Sequence, residues 1–413
     1  MSPPATPRTC RVYEPSLVTS QATEEEPRAG GLDRAAIEAI WRAVEAAYRT
    51  GLYPAMALCL RRRGHVVLDR AIGHARGNDP GDALEVPKVP ATPATLFNVF
   101  SASKMVMAML VHLLSERGLV HLDDLIVRYI PAFGRHGKER TTIRHVLTHR
   151  AGIPSVPPGG VDVGLLSDPR ATVELLCDAR PVWVPGRRLA YHALTGGYVL
   201  AEIARAVTGV DARTLLRREI LEPLRFDHFG YGVPAAEVGS VALNSFTGPP
   251  AGRLAGGLFR KALGVGFEEA VALSNHPSFL TGLVPSGNVI GTANEGSRFM
   301  ELLLRRGALD GVRVFAERTI REALREQSYL EMDLTMALPV RYGMGFMLGG
   351  RILSPYGMGT RNAFGHLGFS NVVLWADPDR DISACLMTSG KPFLALGEVR
   401  WYGVMQTITR TCE

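Results

Sequence analysis

The chain has 413 residues, 46% of them hydrophobic, enough for two domains or one large one around a substantial core. Its net charge of +6 comes from arginines interleaved with Asp and Glu. The densest basic cluster, Arg61-Arg62-Arg63, has no zinc spacing or aromatic-basic pattern beside it, which argues against nucleic acid and for a solvated strand end. Cys10, Cys59, Cys177, Cys385 and Cys412 are widely spaced with no CxxC pair. That spacing speaks against a disulfide scaffold or cysteine metal site, and for a reduced, cytoplasmic protein. The N-terminal stretch lacks the apolar centre of a signal peptide, and no apolar run approaches a membrane span.

In chain order, residues 1–31 are polar and rich in Pro, Thr and Glu, and predict a flexible tail. Ile37, Ile40, Trp41, Val44, Ala47 and Tyr48 keep helical spacing, with Gly51 ending the helix. Apolar runs at 55–60 and 65–69 flank Arg62-Arg63-Gly64, a hairpin signal. A Pro/Gly-rich connector covers 80–93. Short helices are expected at 142–149, 198–207 and 212–221. The segment 232–290, rich in Gly, Pro and small residues, is expected to line a cleft. Strands return at 342–348, 372–375 and 382–386, the last two flanking Asp377-Pro378-Asp379-Arg380. A closing helix is expected at 396–409. The pattern predicts an α/β (α+β) fold: residues 32–97 and 338–413 form a discontinuous α/β domain, and 98–337 a mainly helical domain.

Ser101-Ala102-Ser103-Lys104 carries the strongest chemical signal. It follows the strand-like Leu96-Phe97-Asn98-Val99-Phe100 and opens an apolar run with no charge until Glu116. In a helix starting at Ser101, residues three apart share a face, so the Lys104 ammonium reaches the Ser101 hydroxyl. A serine becomes a nucleophile when a neighbour takes its proton, and a helix N-terminus favours the charge that develops. A lysine at the mouth of a buried helix needs a partner or a task. Two further candidates follow. A phenol of depressed pKa at Tyr191 would serve as a proton shuttle. Phe364-Gly365-His366-Leu367-Gly368-Phe369 places His366 between glycines that permit close backbone approach to a ligand, and the amides of Ser101 and Phe369 would supply two oxyanion donors.

The order of these motifs resembles the serine β-lactamase superfamily, which includes penicillin-binding proteins, class C β-lactamases and family VIII carboxylesterases. The resemblance covers roughly residues 32–410. Leu119-Val120-His121-Leu122-Asp123-Asp124 looks like the family's "GLLDLDD" stretch. His145 to Pro154, reading HVLTHRAGIP, looks like its "LLTHTSGLP" stretch. Val184-Pro185-Gly186 with Tyr191-His192-Ala193 resembles the esterase branch, and Arg341-Tyr342-Gly343-Met344-Gly345 follows in order. The resemblance implies Ser101 as nucleophile, Lys104 as its activating partner and Tyr191 as base or proton relay. His366, Gly368, Phe369 and His192 would form the oxyanion and substrate-binding surround. It also implies a helical domain beside an antiparallel sheet with flanking helices, the site lying between them.

Two departures tip the balance toward esters. The family's Tyr-x-Asn box ends here in Ala193, which cannot hold a substrate amide. His366 stands where β-lactamases and peptidases carry a lysine, and a histidine is largely neutral at pH 7. His145 and His149 have the i, i+4 spacing of a zinc pair, but Val146 occupies the place of an HExxH glutamate, which favours a structural role. No GxSxG elbow exists, which disfavours an α/β-hydrolase. The expectation is therefore a serine carboxylesterase acting on short-chain esters through an acyl-enzyme on Ser101, with no metal or organic cofactor and no nucleic-acid or membrane partner. The alternatives are an acyltransferase with the same site, then a β-lactamase or D,D-peptidase, then a catalytically silent relative.

Overall fold

The computed structural model describes residues 8–156, 162–250, 252, 256–257, 259–260, 263–393 and 397–413. Its centre is an antiparallel sheet. The strands are β1 (Thr19–Gln21), β2 (Ala55–Arg62), β3 (His65–Arg76), β4 (Ser328–Asp333), β5 (Leu338–Tyr342), β6 (Met347–Leu348), β7 (Phe364–Gly368), β8 (Val372–Asp377) and β9 (Ile382–Thr388). Their order across the sheet is β1-β3-β2-β9-β8-β7-β6-β5-β4, with the two-residue strand Val89–Pro90 pairing with β3. The hairpin strands β2 and β3 thus pair with β9 from the far end of the chain, Cys59 facing Cys385.

The helices that matter to the site are α1 (Arg34–Tyr48), α2 (Ser103–Glu116), α3 (Ile143–Leu147), α4 (Thr195–Thr208), α5 (Ala293–Leu304) and α6 (Glu398–Thr411). Asp33 caps α1 by accepting the Ala36 amide at 2.7 Å, and the buried stripe Ile37, Ile40, Trp41 and Val44 faces the sheet. Successive strand residues point to opposite faces. Met56, Leu58 and Leu60 with Ala384 and Leu386 join the layer of α1 and α6. Ala57, Cys59, Cys385 and Met387 join the opposite core with Phe299 and Met300 of α5. Both faces are covered, so these strands are apolar throughout and show no alternation in sequence.

Several expectations need correction. Residues 8–31 are not a loose tail: β1 extends the sheet along β3, and Glu24 binds the Arg70 guanidinium at 2.8 Å where both side chains are largely buried. Residues 1–7 lie outside the described chain. The strand expected at 342–348 is broken. β5 ends at Tyr342, the Gly343 amide bonds to the Phe346 carbonyl, and Gly345 (φ +92°) packs so tightly on Ala108 of α2 that a Cβ would collide. The chain turns down onto α2 before β6 resumes. The helix at Ser101 begins later than expected, because a 3-10 turn over Phe100–Ala102 feeds α2 from Ser103. The hairpin β4–β5 and the sheet-packed helix α5 were not anticipated; α5 and β4 come from within 98–337. The closing helix is present as α6, residue 396 lying outside the described residues.

Candidate active site

Ser101 stands on a strained elbow. Phe100 adopts φ +49°, a left-handed conformation costly for a bulky residue, and the Asn98 side chain holds it by accepting the Phe100 amide at 2.8 Å. The tight turn that follows brings residues three apart into near-eclipse. Lys104 Nζ lies 3.0 Å from Ser101 Oγ and donates to the Ser286 carbonyl at 3.1 Å. Burial pushes the Lys104 amine well below its ordinary pKa, which makes the neutral, proton-accepting form available.

Tyr191 completes the cluster. Its hydroxyl is hydrogen-bonded to the Ser101 side chain, and its ring lies 4.9 Å from Lys104 Nζ. Burial pushes its pKa up, with the Ser101 bond opposing. The expected depressed phenol is therefore corrected: Tyr191 rests protonated, because desolvation outweighs its one hydrogen bond. Its backbone is pinned by the Asp333 carboxylate, which accepts the Tyr191 amide at 3.0 Å, and its ring packs 4.8 Å from that of His149.

His192 is not available to a substrate. It is fully buried, its Nδ1 donates to the Ala190 carbonyl at 2.7 Å, and its Nε2 accepts the Ile153 amide at 3.3 Å. With both ring nitrogens used, it holds the Tyr191 segment in place. His366 sits 6.1 Å, ring to ring, from Tyr191, and its Nδ1 donates to the Leu367 carbonyl at 2.6 Å. Burial, followed by the Lys104 charge, pushes its pKa down to about 3, so it is neutral at pH 7. The flanking glycines serve neighbouring backbone rather than a ligand. A Cβ on Gly365 would strike the Leu374 carbonyl of β8, and one on Gly368 the Val99 carbonyl. The latter approach brings the end of β7 beside the elbow, where the Phe369 and Phe100 rings lie 5.4 Å apart. His145 closes the N-terminus of α3, accepting the Thr142 amide at 3.3 Å, and His149 Nδ1 accepts the His192 amide at 3.2 Å. Among the described residues no three His, Cys, Asp or Glu gather in a metal-binding group.

A cavity of about 90 Å³ opens beside Ser101, lined by Phe100, Ala193, Leu194, Val265, Phe279 and Phe369 among others. Phe369 is backed by Phe267, with ring centroids 4.8 Å apart, and Phe267 in turn by Phe393 at 4.7 Å. Ala193 contributes only a methyl to this wall. Leu263, Val265, Ala270, Leu273, Ser274, Phe279, Ser286 and Gly287 place part of 232–290 along the cleft, as expected; residues 251, 253–255, 258, 261 and 262 of that segment lie outside the described chain. Sequence reasoning gave His149 a structural role without its partners Tyr191 and His192, and it did not find Ser286 or Asp333, because each acts through a contact distant in the chain.

An antiparallel sheet flanked by helices, with a Ser-Lys-Tyr cluster beside it, defines a class of serine hydrolases. The chain belongs to the β-lactamase family, whose model matches residues 41–408. It is 31% identical over 309 residues to the esterase/β-lactamase LipL of Mycobacterium tuberculosis, covering 70% of this chain and 68% of that one. Its fold matches a penicillin-binding-protein homologue from Caulobacter crescentus with TM-score 0.78 and 27% identity, over 92% of this chain and 99% of that one. A family VIII carboxylesterase shares the fold at TM-score 0.77 and 24% identity, over 92% and 99% of the two chains. No helix among the described residues is long and apolar enough to cross a membrane.

Proposed function

We propose that the protein is a carboxylesterase that cleaves short-chain esters through an acyl-enzyme on Ser101. The observation that carries this reading is the pairing of Ser101 Oγ with a buried lysine amine at 3.0 Å that has no carboxylate beside it among the described residues. Lys104 takes the Ser101 proton as Oγ attacks the ester carbonyl. The new ammonium is held by the Ser286 carbonyl and the Tyr191 ring. Tyr191 donates its hydroxyl proton to the departing alkoxide and is reprotonated from Lys104. The Ser101 and Phe369 amides, at the N-terminal elbow and the end of β7, stabilise the tetrahedral oxyanion. Water then attacks the acyl-enzyme, giving its proton to the same relay, and Ser101 leaves with a proton as the acid is released.

The apolar cavity and the missing polar anchors support an ester over a β-lactam or peptide. Ala193 offers no amide, and the neutral His366 offers no charge for a substrate carboxylate. The similarity to LipL, described as an esterase/β-lactamase, and the fold shared with a family VIII carboxylesterase agree with ester cleavage, while the preference over β-lactams rests on the cavity, Ala193 and His366. The test is mass spectrometry after brief exposure to activated short-chain esters. An acyl adduct on the peptide carrying Ser101, absent in Ser101→Ala, is expected; turnover without such an adduct in any quenched sample, or an adduct elsewhere, would overturn the reading.

A further inference from the structure

The hairpin β4–β5 is built inside out. Tyr329, Leu330, Met332, Leu334, Met336 and Leu338 are all exposed, Leu338 by 55%. The adjoining loop after β6 adds Ile352, 73% exposed, with Leu353 and Met358. Between hairpin and loop runs a groove of about 540 Å³, with Leu330, Met336, Leu348, Ile352 and Leu367 in its lining. That size suits a small organic molecule or a single acyl chain. A contiguous apolar surface of this kind on a soluble domain marks an interaction site.

Charge identifies the partner. The carboxylates of this face are already committed: Glu331 to Arg150, and Glu326 to Arg341 at 2.7 Å. Asp379, held by the neutral Asn362 amide group, keeps its charge and is outnumbered by the arginines that follow. The exposed Arg187 and Arg188, which directly precede Leu189, whose carbonyl accepts the Leu334 amide of the hairpin, make no ion pair among the described residues. Nor do Arg351 and Arg361, which flank the loop. An apolar ridge whose adjoining segments carry four exposed arginines without an ion pair among the described residues matches an anionic bilayer, with side chains entering the acyl region and arginines at the headgroups. Pairing with a second copy across the edge strand β4 would instead bring like charges together.

We propose that this face docks the protein on an anionic lipid surface. That no helix among the described residues could cross a membrane leaves surface docking open. Docking there carries a consequence for the catalytic cleft, because the Asp333 carboxylate that anchors the hairpin tip also holds Tyr191. The cleft is then presented at the interface where apolar esters accumulate.

The test is flotation of the full chain with vesicles of phosphatidylcholine alone, and of phosphatidylcholine mixed with phosphatidylglycerol. Vesicle binding is read without catalysis, so its failure and the failure of the esterase reading are distinguishable. Binding to the anionic vesicles only, weakened by salt, is expected. Arg187→Gln and Arg351→Gln should each weaken it about fivefold, the equivalent of about 1 kcal/mol per basic side chain. Leu338→Ser with Ile352→Ser should abolish it while leaving circular dichroism unchanged, since both side chains are exposed. Failure to float with anionic vesicles, or binding indifferent to these substitutions, would overturn the proposal. So would a dimer in sedimentation that the same substitutions dissolve, with no vesicle binding; that result reassigns the face to a second copy.

Discussion

The carboxylate of Asp333 accepts the backbone amide of Tyr191 at 3.0 Å, across 142 positions of sequence. The same Oδ1 accepts the amides of Thr335 and Met336, at 2.8 and 2.9 Å. One buried carboxylate therefore ties the hairpin turn to the phenol. Asp333→Ala leaves three amides without their acceptor, and hydrogen bonds to a charged group are worth about 1.5–3 kcal/mol each before relaxation and water offset part of it. The expected result is a lower denaturant midpoint together with a fall in kcat that exceeds any change in KM. A variant of wild-type kcat would separate the hairpin from the positioning of Tyr191.

Ser101→Ala should abolish ester hydrolysis with the fold intact. Lys104→Ala and Tyr191→Phe should each cost at least the roughly 10²–10⁴ in rate that general acid–base assistance supplies. The two losses should not multiply, because the three side chains move one proton set as a unit. Lys104→Arg is the sharper probe: it keeps the length and a donor but stays charged, so it cannot accept the Ser101 proton. Measured kcat for the singles and the Lys104/Tyr191 double decides the matter, and multiplicative losses would break the unit apart.

Acid should destabilise the protein before the carboxylates titrate. Burial pushes the pKa of His112 and His192 down to about 4, and that of His366 to about 3, from an ordinary 6.5. Between those values and 6.5 the unfolded chain binds protons that the folded chain does not, so stability rises with pH across that window and is lost as pH falls through it. With one pKa unit worth about 1.4 kcal/mol, the stability lost across the whole window is on the order of 3–4 kcal/mol each for His112 and His192 and on the order of 5 kcal/mol for His366. Scanning calorimetry from pH 7 to 5 should show a steep drop in Tm, and His112→Gln should flatten it. A Tm constant over that range would contradict the buried neutral histidines.

Penicillins and cephalosporins should turn over far more slowly than short esters. A site that hydrogen-bonds a substrate group discriminates strongly for it, and this site lacks both usual anchors at Ala193 and His366. Ala193→Asn should raise β-lactam kcat/KM relative to the ester value. Wild-type kcat/KM on a β-lactam equal to that on the best ester would refute the argument.

What could be read from the sequence was local. Ser101 and Lys104 are three residues apart on one turn, so their meeting followed from spacing alone. The α1 stripe from Ile37 to Val44 was legible because one face is buried and the other wet. The polar stretch before α1 misled, because Glu24 and Glu25 have their partners, Arg70 and His65, on β3. Tyr329, Leu330 and Met332 of β4 misled in the opposite way: an apolar strand at the edge of a sheet that turns its side chains to solvent has no distinguishing pattern. The direction of the Tyr191 shift depends on burial, which no motif records. Ser286 and Asp333 reach the cluster only through the folded backbone.

The pairing of β2 with β9 carries a cost in time. The Ala55 amide bonds to Ser389 Oγ across 334 positions, so the strand that β2 needs is made long after β2 itself. At ribosomal speeds of about 5–20 residues per second, the β2–β3 hairpin waits roughly 15–60 s with one apolar edge unmatched. Over that interval the nascent chain offers a sticky template to any neighbouring strand, and loop closure on this scale is slow even after release. Yield in the cell will therefore be governed by whatever shields residues 55–62 during synthesis, and overproduction should fail first by aggregation of half-made chains, well before any limit set by the stability of the finished enzyme.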